Sequence, residues 1–456
     1  MRLSRRAVVL LTAALLGPAL PSLATTSTSA VVAPAIRSTA LSLGATTAAL
    51  TDRDELVGVT WESGAPAVRV RFLTPHGWTA FEEPEDDSDV PVAEERERAR
   101  AGTEPVWRPT GASLVDVRVA GAATGLRLVT VGDGERRTTR SFGLAQADAA
   151  EGSALLGSVR TRKDWGADES LRSGKVSYAS SVQAVVVHHT AGGNDYSPQD
   201  VPRKIRADYA YHVQARGWSD LGYNLVVDKY GGIWEGRAGG IGRAVIGAHA
   251  AGFNTGTLGV SLLGDMTKTA PTKETVTAMA RVAAYAGATW RFDPTAKVTL
   301  TSKGSPRYRS GTKVSLGRVH GHRDTGKTAC PGALYDRLGD IRAGAKALLG
   351  PAVRITEVTV TGAPVHAPTP MVVRASLSRT AAWAVEVHDA DGAIVARATG
   401  EDRTPHLEWN GLRADLAGAV PAQPGDYTWH VRADDRWHPV ATRDGTVQVG
   451  LPLVPL

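Results

Sequence analysis

The residues best suited to chemistry gather around one cysteine. The 456-residue chain contains a single Cys330, set in the run His320-Gly-His-Arg-Asp-Thr-Gly-Lys-Thr-Ala-Cys-Pro-Gly332. One cysteine cannot close an internal disulfide, so behind an export leader it reads as a free thiol, an intermolecular link or a metal ligand. His320 and His322 lie ten and eight residues before it, and a His188-His189 pair ends the hydrophobic run Ser181-Val-Gln-Ala-Val-Val-Val187 far upstream. Two imidazoles and a thiolate can hold a catalytic zinc ion, which keeps a fourth position open for water. Side chains alternate along a strand, so at most one of His188 and His189 reaches a given metal. Both faces of that strand look buried, and parity alone does not choose between the two. A competing chemistry uses Cys330 as an attacking thiolate beside a histidine, which leaves the His188 region without a role. A buried, inert cysteine is the third reading.

The elements that must position these residues sit in a long chain of roughly two to four domains, since one core rarely organises more than ~250–300 residues. A hydrophobic content of 42% beside 21% charged residues is that of globular protein. The formal charge of +6 suits a polyanionic partner. Nucleic acid is excluded by the leader: basic Met1 to Arg6, apolar Ala7 to Leu16, and small residues at Ser22 and Ala24 for cleavage. Residues 1–24 therefore read as a signal peptide, and Ser4-Arg5-Arg6 also resembles a twin-arginine signal, leaving Sec and Tat routes open. No later stretch is apolar for long enough to insert in a membrane. The expected location is secreted or wall-associated, with the cell wall as the anionic partner.

Residues 25–54 are rich in Ala, Thr and Ser and read as a flexible segment. From 55 to 143 the alternation in Val68-Arg-Val-Arg-Phe72 and Leu114-Val-Asp-Val-Arg-Val119 predicts a small all-β domain. Within it, the charged stretch Glu82 to Arg100 reads as a solvated loop. Residues 144–160 read as a linker. Residues 161–350 alternate strands and helices and predict a central α/β domain with a mixed sheet. Its expected elements include a helix capped by Ser197 with Pro198 at N1, running to about Arg216, with Val201, Ile205, Tyr209 and Val213 as its apolar stripe. A hairpin is expected around residues 222–236, a strand at 257–263 and a helix from Thr272 to about Trp290. A last helix should start with Pro331 at N1 and carry Leu334, Leu338, Ile341 and Leu348 on one face. Residues 351–456 predict a second small all-β domain, a β-sandwich with turns at Asp391-Gly392 and Pro424-Gly425.

Five motifs stand in order along the central region: Val185-Val-Val-His-His-Thr-Ala-Gly192, Gly217-Trp-Ser-Asp-Leu-Gly-Tyr-Asn224, Trp234-Glu-Gly-Arg237, Gly247-Ala-His249, and Gly321-His-Arg-Asp324 with Ala329-Cys-Pro-Gly332. From Arg162-Lys-Asp-Trp-Gly-Ala167 to about Gly350, the chain resembles the peptidoglycan recognition protein and type-2 amidase family of zinc N-acetylmuramoyl-L-alanine amidases. The resemblance implies one zinc ion held by His188, His322 and Cys330. It makes Tyr223 the catalytic tyrosine and sets Thr328 where phage relatives carry a catalytic lysine and many recognition proteins a threonine. A branch of the family uses a glutamate on the strand corresponding to 257–263; Ser261 stands there in this chain. His212, His249, Asn224 and Arg237 match positions near the family's groove and are expected to bind substrate, with structural hydrogen bonding as the alternative. Trp218 and Trp234 could stack on sugar or lie buried, and Asp324 could support His322 or pair with Arg323.

The implied activity is exported, zinc-dependent hydrolysis of the amide between N-acetylmuramic acid and L-alanine in peptidoglycan. A receptor that binds the wall without cutting it, and a thiol peptidase, are the rivals. A basic insertion from Lys297 to Leu316 either helps hold the acidic wall or is a solvated loop. The C-terminal sandwich resembles the immunoglobulin-like module found beside flagellar hook-capping proteins. Either β domain could attach to the wall or act as a spacer.

Overall fold

The structure is a computed structural model and describes residues 27–32, 34–86, 99–132, 136–141, 153–267, 269–362, 370–415 and 418–449. The expected signal peptide lies outside these residues. Among them, no helix is long and apolar enough to cross a membrane.

Two sheets face each other in the N-terminal third. One orders Gly44–Ala49, Leu114–Ala120, Ala67–Thr74 and Gly77–Trp78; the other orders Ala35–Ala40, Arg127–Gly132, Asp54–Trp61 and Ala101–Gly102. Val57, Val59, Trp61, Val70, Phe72 and Val117 fill the space between them. The flexible segment expected over 25–54 instead supplies two of these strands, Ala35–Ala40 and Gly44–Ala49. Apart from Ile36 and Arg37 their side chains are small, and most are exposed. They are held by backbone pairing to Arg127–Gly132 and Leu114–Ala120, a contribution that composition does not reveal.

The central region is built on a six-stranded mixed sheet. Its strands are β1 (Val159–Arg160), β2 (Ala184–His189), β3 (Leu225–Val227), β4 (Ile233–Glu235), β5 (Thr257–Leu262) and β6 (Val319–Gly321). They lie in the order β1-β4-β3-β5-β2-β6, with β2 parallel to both β5 and β6. A strand flanked on both sides and covered on both faces should be continuously apolar, and every residue of β2 is buried. One sheet face packs on α2 (Lys273–Thr289) and α3 (Leu338–Leu349) through Val276, Met279, Val282, Leu338, Ile341 and Leu349. The expected linker 144–160 yields to structure by Ser153, since Leu156 is buried in this same core and β1 pairs with β4.

Helix α1 (Val201–Ala210) begins later than the Ser197 cap predicts. Asp200 accepts from the backbone N–H and the hydroxyl of Ser197, closing a turn that uses up the residues before Val201. The helix ends in a π-turn, Tyr211–Ala215. Val201, Ile205 and Tyr209 face a core with Trp165, Leu221 and Tyr223, with Val213 packed beside it. The last helix also departs from expectation: Gly332–Arg337 is a 3-10 turn before α3, and Leu348 is exposed while Leu349 is buried. Leu349 lies eleven residues after Leu338, on the same helical face as Ile341 and Ala345. The basic insertion is a hairpin, Lys297–Thr301 with Lys313–Gly317, and its Leu300, Val314 and Leu316 pack on Ala184, Val186 and Phe253.

The C-terminal third pairs Ile355–Thr361, Met371–Leu377 and His406–Trp409 in one sheet, and Ile394–Asp402, Ala381–His388, Gly425–Asp434 and Ala441–Val449 in another. Met371, Val373, Trp383, Val385, Trp409 and Val431 lie buried in their common core.

The strand Asp54–Trp61 is buried at all its positions because it serves two cores. Val57, Val59 and Trp61 face the opposing N-terminal sheet. On the other side, Leu56 meets Ala207, Ala210, Tyr211 and Ala215 of α1 and its π-turn. Gly58 admits the Tyr211 ring, since a Cβ there would overlap it, and the Tyr211 hydroxyl donates to the Thr103 carbonyl at 2.8 Å. Gly58→Ala is expected to cost about 1–3 kcal/mol through overpacking, read as a lowered urea midpoint of the full chain.

Candidate functional site

The end of β2 carries His188 and His189 into separate environments, as strand alternation requires. His189 turns to the α2 side, where its Nδ1 accepts the Met266 N–H at 2.9 Å. Burial pushes its pKa down to about 4. His188 turns the other way, with its ring 4.6 Å from that of His322 and 5.4 Å from that of Tyr223. Its Nδ1 faces the Cys330 sulfur at 3.8 Å. His188, His322 and Cys330 each offer one donor atom within 4.8 Å of the others, and all three are buried. Burial, reinforced by the neighbouring imidazoles, holds His188 well below the usual histidine range, so the ring is neutral with a lone pair to offer a cation.

His188 and Cys330 have further polar partners. His188 Nε2 lies 3.1 Å from His249 Nδ1. When His249 accepts there, His188 carries its proton on Nε2 and turns the Nδ1 lone pair toward Cys330. Gly259 makes room for the His249 ring, which a Cβ would strike. The backbone N–H of His189 donates to the Cys330 sulfur at 3.4 Å, a contact that favours a thiolate.

The loop bearing His322 and Cys330 is tied to itself and to its neighbours. Arg323 N–H donates to the Cys330 carbonyl at 2.9 Å, and Cys330 N–H donates to the Thr328 hydroxyl at 2.9 Å. The basic hairpin braces the same loop, as Arg307 donates to the Arg323 carbonyl at 2.6 Å and Ser305 to the Thr325 carbonyl at 2.8 Å. That insertion is thus a buttress rather than a solvated loop. Asp324 accepts from Gly321 N–H and from the Tyr335 hydroxyl, so it fixes the turn and supports neither His322 nor Arg323 directly. His320 is buried on the sheet with Nδ1 2.8 Å from the Gly317 carbonyl.

The residues expected to bind substrate divide. His249 is 1% exposed behind His188, with its Nδ1 against that ring. Asn224 donates to the Val245 carbonyl and accepts the Gly259 N–H. Arg237 is buried and donates to the Leu221 carbonyl and Ser219 hydroxyl. Both staple the loop that carries Tyr223. His212 stacks on Trp218 with centroids 4.4 Å apart and accepts the Gly222 N–H. Burial, then the charges of Arg216 and Arg237, push its pKa down to about 3. Trp218 and Trp234 are buried too. Tyr223 is 7% exposed, with its ring 5.8 Å from His212. Ser261 pairs laterally with His188, and its hydroxyl is buried without a hydrogen-bond partner among the described residues.

One supporting pair escaped sequence reasoning. Arg162 and Asp220 form a buried ion pair at 3.1 Å, and Asp220 also accepts the N–H groups of Leu221 and Ala238. This pins the Tyr223 loop to the Arg162-Lys-Asp-Trp165 turn, whose Trp165 indole donates to the Glu235 carbonyl at 2.7 Å. Arg162 and Asp220 stand in two separate motifs, each with other polar residues, and no local pattern marks them as partners.

Comparison with known proteins assigns this region. The profile of the N-acetylmuramoyl-L-alanine amidase family Amidase_2 matches residues 178–333. Peptidoglycan-recognition protein SC2 of Drosophila simulans is 32% identical over 180 residues, covering 39% of this chain and 83% of the relative. The chain belongs to the peptidoglycan recognition and type-2 amidase family. Peptidoglycan recognition protein 1 of Bos taurus is 32% identical over 177 residues, 39% of this chain and 79% of that protein. The solved Drosophila PGRP-LB is 28% identical, covers 40% of this chain and 92% of its own, and superposes with a TM-score of 0.32.

For this family member, Asp220 is one carboxylate of a buried network in which Arg162 also pairs with Glu169 and Asp220 with Arg172. Asp220→Ala is expected to cost about 1–3 kcal/mol, because Arg162 keeps Glu169 while the Leu221 and Ala238 N–H groups lose their acceptor, read from urea unfolding of the full chain.

Proposed function

We propose that the chain is an exported, zinc-dependent N-acetylmuramoyl-L-alanine amidase, acting on the amide between the lactyl group of N-acetylmuramic acid and the L-alanine of the peptidoglycan stem. The observation that carries this reading is the convergence of His188, His322 and Cys330 donor atoms within 4.8 Å in a buried setting. Two imidazoles and a thiolate suit a single zinc ion, and the contact between His188 Nε2 and His249 Nδ1, which orients the His188 ring, supports the fit. When bound, zinc supplies Lewis acidity to the scissile carbonyl and to a water.

The chain's own residues would do the rest. Hydrolysis joins the water oxygen to the carbonyl carbon, breaks the C–N bond, and delivers a proton to the departing alanine nitrogen. The Tyr223 phenol, whose ring lies 5.4 Å from that of His188, would hold the water or donate to the developing oxyanion. The Thr328 hydroxyl, two residues before Cys330, would hydrogen-bond the same intermediate. Met1 to Arg6 and Ala7 to Leu16 support export by the Sec or Tat route to the wall or the medium. On this reading residues 161–350 form the catalytic domain, and residues 55–143 and 351–456 its two β companions.

The deciding experiment incubates the mature protein with purified peptidoglycan and follows newly freed alanine amines with and without a chelator. Chelator-sensitive release is expected. Binding without release would make the chain a receptor, and release that survives chelation would make it a thiol peptidase. Tyr223→Phe should lower kcat by about 10²–10³-fold, the usual effect of removing an oxyanion donor, while zinc content measured by atomic absorption stays at the parent level.

A further inference from the structure

Glu85 lies on the irregular segment that follows the strand Gly77–Trp78 of the N-terminal sheets, yet its carboxylate lies against the loop of the proposed metal ligands. It accepts from the Thr328 hydroxyl and from the Ala329 N–H, the latter at 2.6 Å. The backbone that presents it is anchored. The Glu85 carbonyl accepts the Glu104 N–H at 2.8 Å, and Asp86 bridges Thr103 in antiparallel fashion. Thr103 in turn receives the Tyr211 hydroxyl, and Arg100 exchanges two hydrogen bonds with Arg216. Residues 85–86 and 100–104 are therefore clipped to the π-turn after α1, and Glu85 reaches from that clip to Thr328.

Counting protons shows what this contact does. Thr328 has one hydroxyl proton and its oxygen already accepts the Cys330 N–H, so the proton given to Glu85 is withheld from any substrate oxygen. The Ala329 N–H is committed in the same way. Two donors that stand one and two residues before Cys330 are thus filled by an internal carboxylate. On the amidase reading, on which this inference rests, hydrolysis converts the lactyl amide carbonyl into a carboxylate at this place. We propose that the Thr328 hydroxyl and Ala329 N–H form a carboxylate-binding subsite beside the metal ligands, and that Glu85 fills it as an internal stand-in for the lactyl carboxylate. Substrate and product must then displace Glu85, and their apparent affinity is reduced by the fraction of chain in the closed state.

The test uses the full mature chain, its Glu85→Ala variant and its Glu85→Gln variant, each checked for an unchanged melting temperature. N-acetylmuramic acid is the probe, with N-acetylglucosamine, which lacks the lactyl carboxylate, as the control. Calorimetry should show N-acetylmuramic acid binding about tenfold more tightly to Glu85→Ala, a factor in the range for losing a charge-assisted hydrogen bond. Glu85→Gln should fall between the two, and N-acetylglucosamine should show no change. In the amine-release assay, KM should fall by a similar factor without loss of kcat. Equal affinity for N-acetylmuramic acid in all three proteins would overturn the proposal, as would a fall in kcat at constant KM. If no form releases amines yet Glu85→Ala still tightens N-acetylmuramic acid binding, the subsite stands and the amidase reading fails.

Discussion

Three donor atoms drawn from opposite ends of the central region must meet within 4.8 Å in surroundings that exclude most water. Bare imidazoles and a thiolate placed so close are costly to desolvate, so each needs its other polar atoms satisfied before the cluster is tolerable. The structure supplies such partners for His188 and Cys330. His249 engages the far nitrogen of His188, the His189 N–H reaches the sulfur, and the Cys330 N–H is taken by Thr328. The order of β5, β2 and β6 follows from the same need, because β2 brings His188 and β6 leads into the His322 turn from the adjacent position.

The N-terminal sheets are joined to this region by contacts of the kind found inside a single core. Leu56 and Val131 share a cluster with Ala210 and Tyr211, and Lys204 lies 3.8 Å from the centroid of the Trp107 ring. The helix that walls the site is consequently buried on two sides. Motion of the N-terminal sheets would be felt at Tyr211 and Arg216, and Glu85 is carried on the same backbone clip. The β structure ahead of the amidase region is therefore packed directly on the helix and π-turn beside the site.

Local patterning made much of this legible. The run Val185-Val-Val187 ending in two histidines announces a buried strand with ligands at its mouth, and the eight-residue interval from His322 to Cys330 announces their common loop. The strand at 257–262 and the helix from Lys273 appear close to where alternation and the Thr272 cap place them. Errors fall where backbone pairing or long-range packing competes with composition. The Ala- and Thr-rich segment before residue 50 pairs as strands, and Leu348 loses its place to Leu349 by one helical position.

The sequence by itself determined the family, the candidate ligands and the alternation that separates His188 from His189, because these depend on residue type and near-neighbour spacing. Tertiary structure decided which histidine faces Cys330, that His249 serves His188 rather than open cleft, and that Asp220 holds Arg162. It also placed Glu85, 243 residues before Thr328 in the chain, against that hydroxyl. No local pattern encodes such a contact. It exists because Asp54–Trp61 is buried on both faces, and satisfying both brings the N-terminal sheets onto the helix beside the site.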